Sequence, residues 1–214
     1  MLALSYLIAK KILKILNDKC DPKRYLTEYD SFYLIKKSDI NRRPGNILNR
    51  YAALVNLGKY DEAHLAIESI PTPEKVKGKQ YALLYYINAA HQDIFDGKFE
   101  EAREKLDIAM NIEMPEKYRD IYLTAIKRNE ATILRKQGYL TESRKLYNEL
   151  LQREPNRMNI VNYIFALGLI DVKEQKYDDA KSAFEKVIAE GNKLYTVTLA
   201  KQELEKLLNG LYYR

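Results

Sequence analysis

Tryptophan is absent from this chain of 214 residues, and glycine (8), proline (6) and cysteine (1) are scarce. Because Cys20 stands alone, the chain cannot form an internal disulfide, which fits a reducing compartment. Segments of alternating Val, Ile and Thr are also missing, so the sequence does not favour a sheet. Alanine, leucine, lysine, glutamate and 18 tyrosines dominate instead. This composition is typical of helical proteins.

The sequence motifs of catalysis and of cofactor binding are missing as well. There are two histidines, and neither a Cys-x-x-Cys nor a His-Glu-x-x-His spacing occurs, so a zinc site is not expected. Glycine-rich phosphate loops and a Gly-x-Ser-x-Gly nucleophile turn are absent too. The acids gather in pairs at predicted helix starts, where stabilisation of the helix end explains them. We therefore predict a protein that is not an enzyme and has no catalytic residues, cofactor or metal.

The charge of the chain is positive but dispersed. Its formal net charge is +6, with 36 lysines and arginines mixed among 30 acids. The densest basic stretch, residues 36–50, falls in a predicted connection and carries no RNA-binding signature or zinc-finger spacing. A nucleic-acid footprint requires cations clustered on one face, so no nucleic-acid partner is expected.

A six-residue motif occurs four times, and each copy has a helical pattern on both sides. The successive copies begin 39, 41 and 37 residues apart. The first glycine suits the left-handed backbone that ends a helix, and the acids fall in the first turn of the next helix. The final alanine or serine lets two helices cross closely. The copies are GKYDEA (58–63), GKFEEA (97–102), GYLTES (138–143) and QKYDDA (175–180).

Around these motifs the chain resembles the tetratricopeptide-repeat family over residues 45–190. The match is best in the fourth copy, where small, aromatic and apolar residues follow the family order: Ile164, Leu167, Gly168, Tyr177, Ala180 and Phe184. The copies depart from the family in their spacing, which exceeds the usual 34 residues, and at Tyr51, where a small residue belongs. The resemblance implies a right-handed α-solenoid of stacked antiparallel helical hairpins, and the chain predicts about eleven helices without a sheet.

The predicted organisation is one continuous domain in three parts. Residues 1–44 form a helical hairpin that caps the stack, residues 45–190 form the four repeats, and residues 191–214 form a last capping helix. Asp21-Pro22 is the expected start of the second helix, because aspartate caps a helix and proline suits its first position.

The resemblance implies that the first helix of each hairpin lines a concave groove and that this groove binds a protein or peptide. We call these the first helices. Because Arg128 and Arg135 lie two turns apart on one helix, we expect them to contact an acidic partner with apolar anchors. Alternatively, the arginines are solvated or paired within the chain, and the apolar residues belong to the core. The candidate groove residues are Leu84, Ile87, His91, Arg128, Thr132, Arg135, Asn162, Phe165 and Leu169. This interpretation describes a cytoplasmic, non-enzymatic binding scaffold.

The first sixteen residues allow three interpretations. Lys10 and Lys14 share one face of a predicted amphipathic helix, and Leu4, Ile8, Ile12 and Ile15 share another. The apolar face either caps the stack, lies on a membrane surface through residues 1–17, or pairs with a second copy in a homodimer. The unbroken apolar run is too short to cross a bilayer, and its lysines follow the run rather than precede it as in a signal peptide.

Overall fold

In the computed structural model, residues 2–33, 44–75, 78–114 and 116–212 are described. These residues contain eleven α-helices and no strand, which confirms the all-α prediction. The part of the basic stretch at 36–43 and the side chain of Leu4 lie outside the described residues. None of the described helices is long and apolar enough to cross a membrane. The helices are α1 (Leu2–Asn17), α2 (Pro22–Tyr33), α3 (Pro44–Asn56), α4 (Tyr60–Glu68), α5 (Lys79–Phe95), α6 (Phe99–Asn111), α7 (Glu116–Gln137), α8 (Leu140–Leu151), α9 (Arg157–Lys173), α10 (Tyr177–Glu190) and α11 (Tyr195–Leu208).

Each copy of the six-residue motif forms a tight turn between two helices, as predicted. Its first residue has a left-handed backbone in all four copies, including the fourth, where glutamine replaces glycine. The φ angles are 75° at Gly58, 79° at Gly97, 90° at Gly138 and 60° at Gln175. The following helix begins at the third residue of the motif, and its first turn contains the predicted acids. These acids lie at the positive end of the helix, where negative charge is stabilising.

The last residue of the motif is completely buried in every copy. Ala63, Ala102, Ser143 and Ala180 have 0% exposure. The residue four positions later is also buried and is larger in each copy: Ile67, Leu106, Tyr147 and Phe184. A small residue followed by a large one, four positions apart on the same helix face, explains how the two helices of a hairpin approach each other closely.

The chain divides into two compact units. The first unit contains α1, α2, α9, α10, α11 and the short segment Asn56–Gly58. The second unit contains α3 through Val55 and the helices α4 to α8 through Leu150. Three of the four motif copies therefore lie mainly in the second unit, and the fourth lies in the first.

In the first unit, the α9–α10 hairpin packs against α11, and α1 packs against α2 and α9. Asp21 caps α2 as predicted, because its Oδ1 accepts a hydrogen bond from the Arg24 backbone N–H at 3.1 Å. Its Oδ2 also accepts from Lys193 Nζ at 2.7 Å, and the Lys193 backbone N–H donates to the Cys20 carbonyl at 3.2 Å. These two hydrogen bonds from Lys193 connect the turn between α1 and α2 to the loop that follows α10.

In the second unit, the α5–α6 hairpin and α7 share one apolar core. Lys105 and Asp93 form an ion pair between α5 and α6, and Arg103 Nη2 donates to Gln137 Oε1 at 2.7 Å between α6 and α7. The buried members of the core are Leu83, Ile87, Ala90, Ile94, Ala102, Leu106, Ala109, Tyr122, Ile126 and Ile133. Helix α5 therefore packs against both α6 and α7, which limits the residues that remain for binding.

Candidate binding surface of the second unit

Six of the nine predicted groove residues lie in the second unit, on α5 and α7. Ile87 is buried in the core, and Leu84 is half-buried against the same core. An apolar side chain that packs within its own unit has little surface to offer a partner. The remaining four residues, His91, Arg128, Thr132 and Arg135, are polar and half-buried.

His91 is held by an aromatic neighbour from α3. Its Nδ1 and the Tyr51 hydroxyl are hydrogen-bonded at 2.9 Å, and the two rings meet edge to face. Burial, followed by the positive charges of Arg128 and Lys136, lowers the pKa of His91 to about 3. Burial likewise raises the pKa of Tyr51. Both groups are therefore neutral hydrogen-bonding partners near neutral pH. No sequence pattern predicted the contact between Tyr51 and His91.

Three cations of α7 lie close to one another and to His91. Arg128 and Lys136 both depress the pKa of His91 through their charge. Partial desolvation, followed by the charge of Arg135, lowers the pKa of Lys136. The Arg135 Nε is buried without a hydrogen-bond partner. Among the described residues no acid forms an ion pair with Arg135 or Lys136. This group of Arg128, Arg135 and Lys136 is named the α7 cation cluster.

Thr132 lies between the two arginines but is engaged within the unit. Its Oγ1 donates to the Arg128 carbonyl at 2.9 Å and is hydrogen-bonded to the Tyr147 hydroxyl of α8, also at 2.9 Å. Thr132 therefore joins α7 to α8 by a hydrogen bond.

The other three predicted groove residues lie in the first unit. The Asn162 amide is occupied on both sides, because Nδ2 donates to Asn56 Oδ1 at 3.0 Å and Oδ1 accepts from Thr196 Oγ1 at 2.6 Å. The half-buried ring of Phe165 packs against the ring of Phe184, with the ring centroids 5.7 Å apart. Leu169 is half-buried on the same helix. Asn162 and Phe165 therefore have packing roles of their own in this unit.

Two asparagines outside the nine predicted groove residues join the first helices of successive motif copies. Asn88 Nδ2 of α5 donates to the Leu48 carbonyl of α3 at 3.3 Å, and Asn129 Nδ2 of α7 donates to the Ile87 carbonyl of α5 at 3.0 Å. Asn88 and Asn129 each precede the glycine of their own motif copy by nine residues. Asn49 has the same position before Gly58, so aligning the copies would have exposed the pattern. We call the Asn88 and Asn129 contacts the asparagine ladder.

A shallow pocket of about 500 Å³ lies near the second motif copy. The Tyr60 and Phe95 rings stack there with centroids 4.3 Å apart. Beside them, the Tyr51 hydroxyl donates to Gln92 Oε1 at 3.4 Å, and Gln92 Nε2 donates to Asp96 Oδ1 at 3.1 Å. His64 Nε2 lies 3.1 Å from Glu68 Oε1 on the same helix face. The lining residues are Tyr60, Asp61, His64, Leu65, Gln92, Phe95, Asp96 and Lys98.

The described residues contain no group of three or more His, Cys, Asp or Glu side chains that could hold a metal ion. No protein-family model, curated protein or solved structure matches this chain. The resemblance to tetratricopeptide repeats therefore depends on the motif copies and on the contacts between their helices.

Proposed function

We propose that the chain is a non-enzymatic scaffold that binds an acidic protein or peptide segment through the α7 cation cluster. The observation that carries the proposal is that Arg135 and Lys136 are neighbouring cations and that no acid among the described residues forms an ion pair with either of them. A carboxylate from a partner would form charge-assisted contacts with these cations and relieve the repulsion between them.

The proposed scaffold is a right-handed α-solenoid of tetratricopeptide type. Within the second unit, the asparagine ladder supports this arrangement, because it joins each first helix to the equivalent helix of the next motif copy. A row of contacts between neighbours is what stacked repeats require, since one hairpin cannot bury its apolar face alone.

The test of the proposed function uses a panel of synthetic peptides, each with two carboxylates and one leucine or phenylalanine, and their lysine-bearing counterparts. Fluorescence anisotropy should detect binding of acidic peptides alone. Arg128→Glu with Arg135→Glu should weaken that binding by about 100-fold or more, because two charge-assisted hydrogen bonds contribute about 1.5–3 kcal/mol each.

The matched control places the same change of charge elsewhere on α7. Lys117→Glu with Lys127→Glu alters two exposed cations and should leave the affinity within about threefold. Thermal melts of all variants verify that folding is retained. Unchanged binding by the arginine variant, or an equal loss in the lysine control, would contradict the proposed site.

A further inference from the structure

Helix α1 has one face within the protein and another in solvent. Ile12, Ile15 and Leu16 are buried, and α1 packs against α2 and α9 of its own unit. This apolar face is the one that the sequence analysis considered for contact with a membrane surface. Insertion of that face would require α1 to leave its unit and expose the apolar core beneath it to water, which is unfavourable.

The opposite face of α1 is basic and carries two exposed leucines. Lys10, Lys11 and Lys14 are exposed, and Leu7 and Leu13 are 54% and 47% exposed. At about 100° per residue these five side chains fall within one continuous half of the helix surface. No acidic residue occurs in α1. Within the described parts of the chain, none of the three lysines takes part in an ion pair.

The positive charge continues beyond the helix. Lys19 and Lys23 are exposed in the turn to α2 and in its first turn, also without an ion pair among the residues described. The acids of this stretch do little to offset them: Asp21 is committed to Lys193, and Glu28 is committed to Arg24. Asp18 is the exposed acid that remains close to α1. The face therefore carries a local excess of positive charge.

We propose that this outer face of α1, defined by Leu7, Lys10, Lys11, Leu13 and Lys14, docks on an anionic lipid bilayer. Lysines near such a surface are attracted to acidic headgroups, and leucines between them can enter the boundary with the acyl chains. A nucleic acid would attract the same lysines but would leave both leucines in water. The proposal goes beyond the binding of an acidic peptide and does not rest on it, because α1 belongs to the first unit and the α7 cation cluster to the second.

Binding to vesicles tests the proposal directly on the full chain. Vesicles of phosphatidylcholine with 30% phosphatidylserine should co-sediment the protein, and vesicles of phosphatidylcholine alone should not. Each lysine near an anionic surface contributes about 1 kcal/mol, so Lys10→Gln with Lys11→Gln and Lys14→Gln should weaken binding by about 100-fold. Raising the salt concentration should also weaken it, because exposed charges are screened.

The matched control removes the same charge from another surface of the same unit. Lys181, Lys186 and Lys201 are exposed on α10 and α11, and changing all three to glutamine should leave vesicle binding within about threefold. An equal loss in this control would overturn the proposal, since net charge alone would then explain binding. Equal binding to vesicles without phosphatidylserine, or full binding by the α1 lysine variant, would overturn it too.

The two leucines decide between a bilayer and a soluble polyanion. Leu7→Ser with Leu13→Ser should weaken vesicle binding at least tenfold, because two exposed apolar side chains no longer enter the boundary. The same variant should bind a short DNA duplex as weakly as the parent chain does. Vesicle binding that is indifferent to the leucines, or duplex binding that is as tight as vesicle binding, would overturn the lipid assignment.

Discussion

The two units contain the same six-residue turn but join their first helices differently. In the second unit, α3, α5 and α7 are connected by side-chain amides that donate to backbone carbonyls, at Asn88 and Asn129. In the first unit, the equivalent position on α9 is Ala166, which has no side-chain amide. The Asn162 amide of α9 instead pairs with the side chains of Asn56 and Thr196, and Gly168 lets α10 approach α9 closely. The repeated motif therefore specifies the hairpin, whereas other positions specify the neighbour of that hairpin.

This difference has a physical basis. A buried amide must find a partner, so an asparagine at a helix contact favours one register of the two helices over others. Contact through glycine depends on shape: a β-carbon at Gly168 would lie 2.8 Å from Phe184 Cε1 and 3.1 Å from Ala183 Cβ. Hydrogen bonds from asparagine to backbone carbonyls join successive first helices in the second unit, whereas close packing at Gly168 sets the approach of α9 and α10 in the first unit.

The largest expected effect is at the close contact of the first unit. Gly168→Leu should lower the free energy of unfolding by about 3 kcal/mol, because the added side chain must displace Phe184 and Ala183. Urea denaturation measures the change. Gly45→Leu is the control, since a β-carbon there meets nothing within 4 Å, and it should be neutral or stabilising. A cost at Gly168 no greater than at Gly45 would contradict the role of close packing.

A smaller loss is expected on removing the asparagine ladder from the second unit. Asn129→Ala should cost about 1–3 kcal/mol, because it deletes a buried hydrogen bond to the Ile87 carbonyl and leaves a small cavity. Asn88→Ala should cost less, since that side chain is half-buried and its hydrogen bond is longer. Hydrogen exchange should place the change in α5 and α7. A cost at Asn88 that exceeds the cost at Asn129 would reject this ranking.

The smallest expected effect is at the first residue of the six-residue turn. Gln175→Gly should stabilise the chain by about 1 kcal/mol, because a residue with a side chain is strained at a φ of 60°. Gly138→Ala, at the same position of the third copy, should destabilise the chain by about the same amount, because alanine is strained at a φ of 90° and its β-carbon meets no neighbour that would add to the cost. Thermal unfolding measures both changes. Effects of the same sign would show that the fourth turn differs from the others in more than its residue type.

The sequence predicted the helices and the turns between them well, because local chemistry determines both. The positive φ at Gly97, the acids after it and the buried Ala102 follow from six adjacent letters. The candidate site was less accessible to prediction. Ile87 and Asn162 occupy the expected helices, yet which face of a helix is covered depends on partners about 40 or 100 residues away. The predicted groove, its acidic partner and the cap formed by residues 1–44 remain predictions.

The half-buried imidazole of His91 gives the second unit a sensitivity to acid. Its pKa in the folded chain is about 3, whereas an exposed histidine titrates near 6.5. As the pH falls below about 6.5, the unfolded chain takes up a proton that the folded chain refuses, and the equilibrium moves toward unfolding. The contribution of this neutral side chain to stability is therefore fully present above that pH and is progressively lost below it, so an acidic compartment would loosen the α3–α5 contact from within.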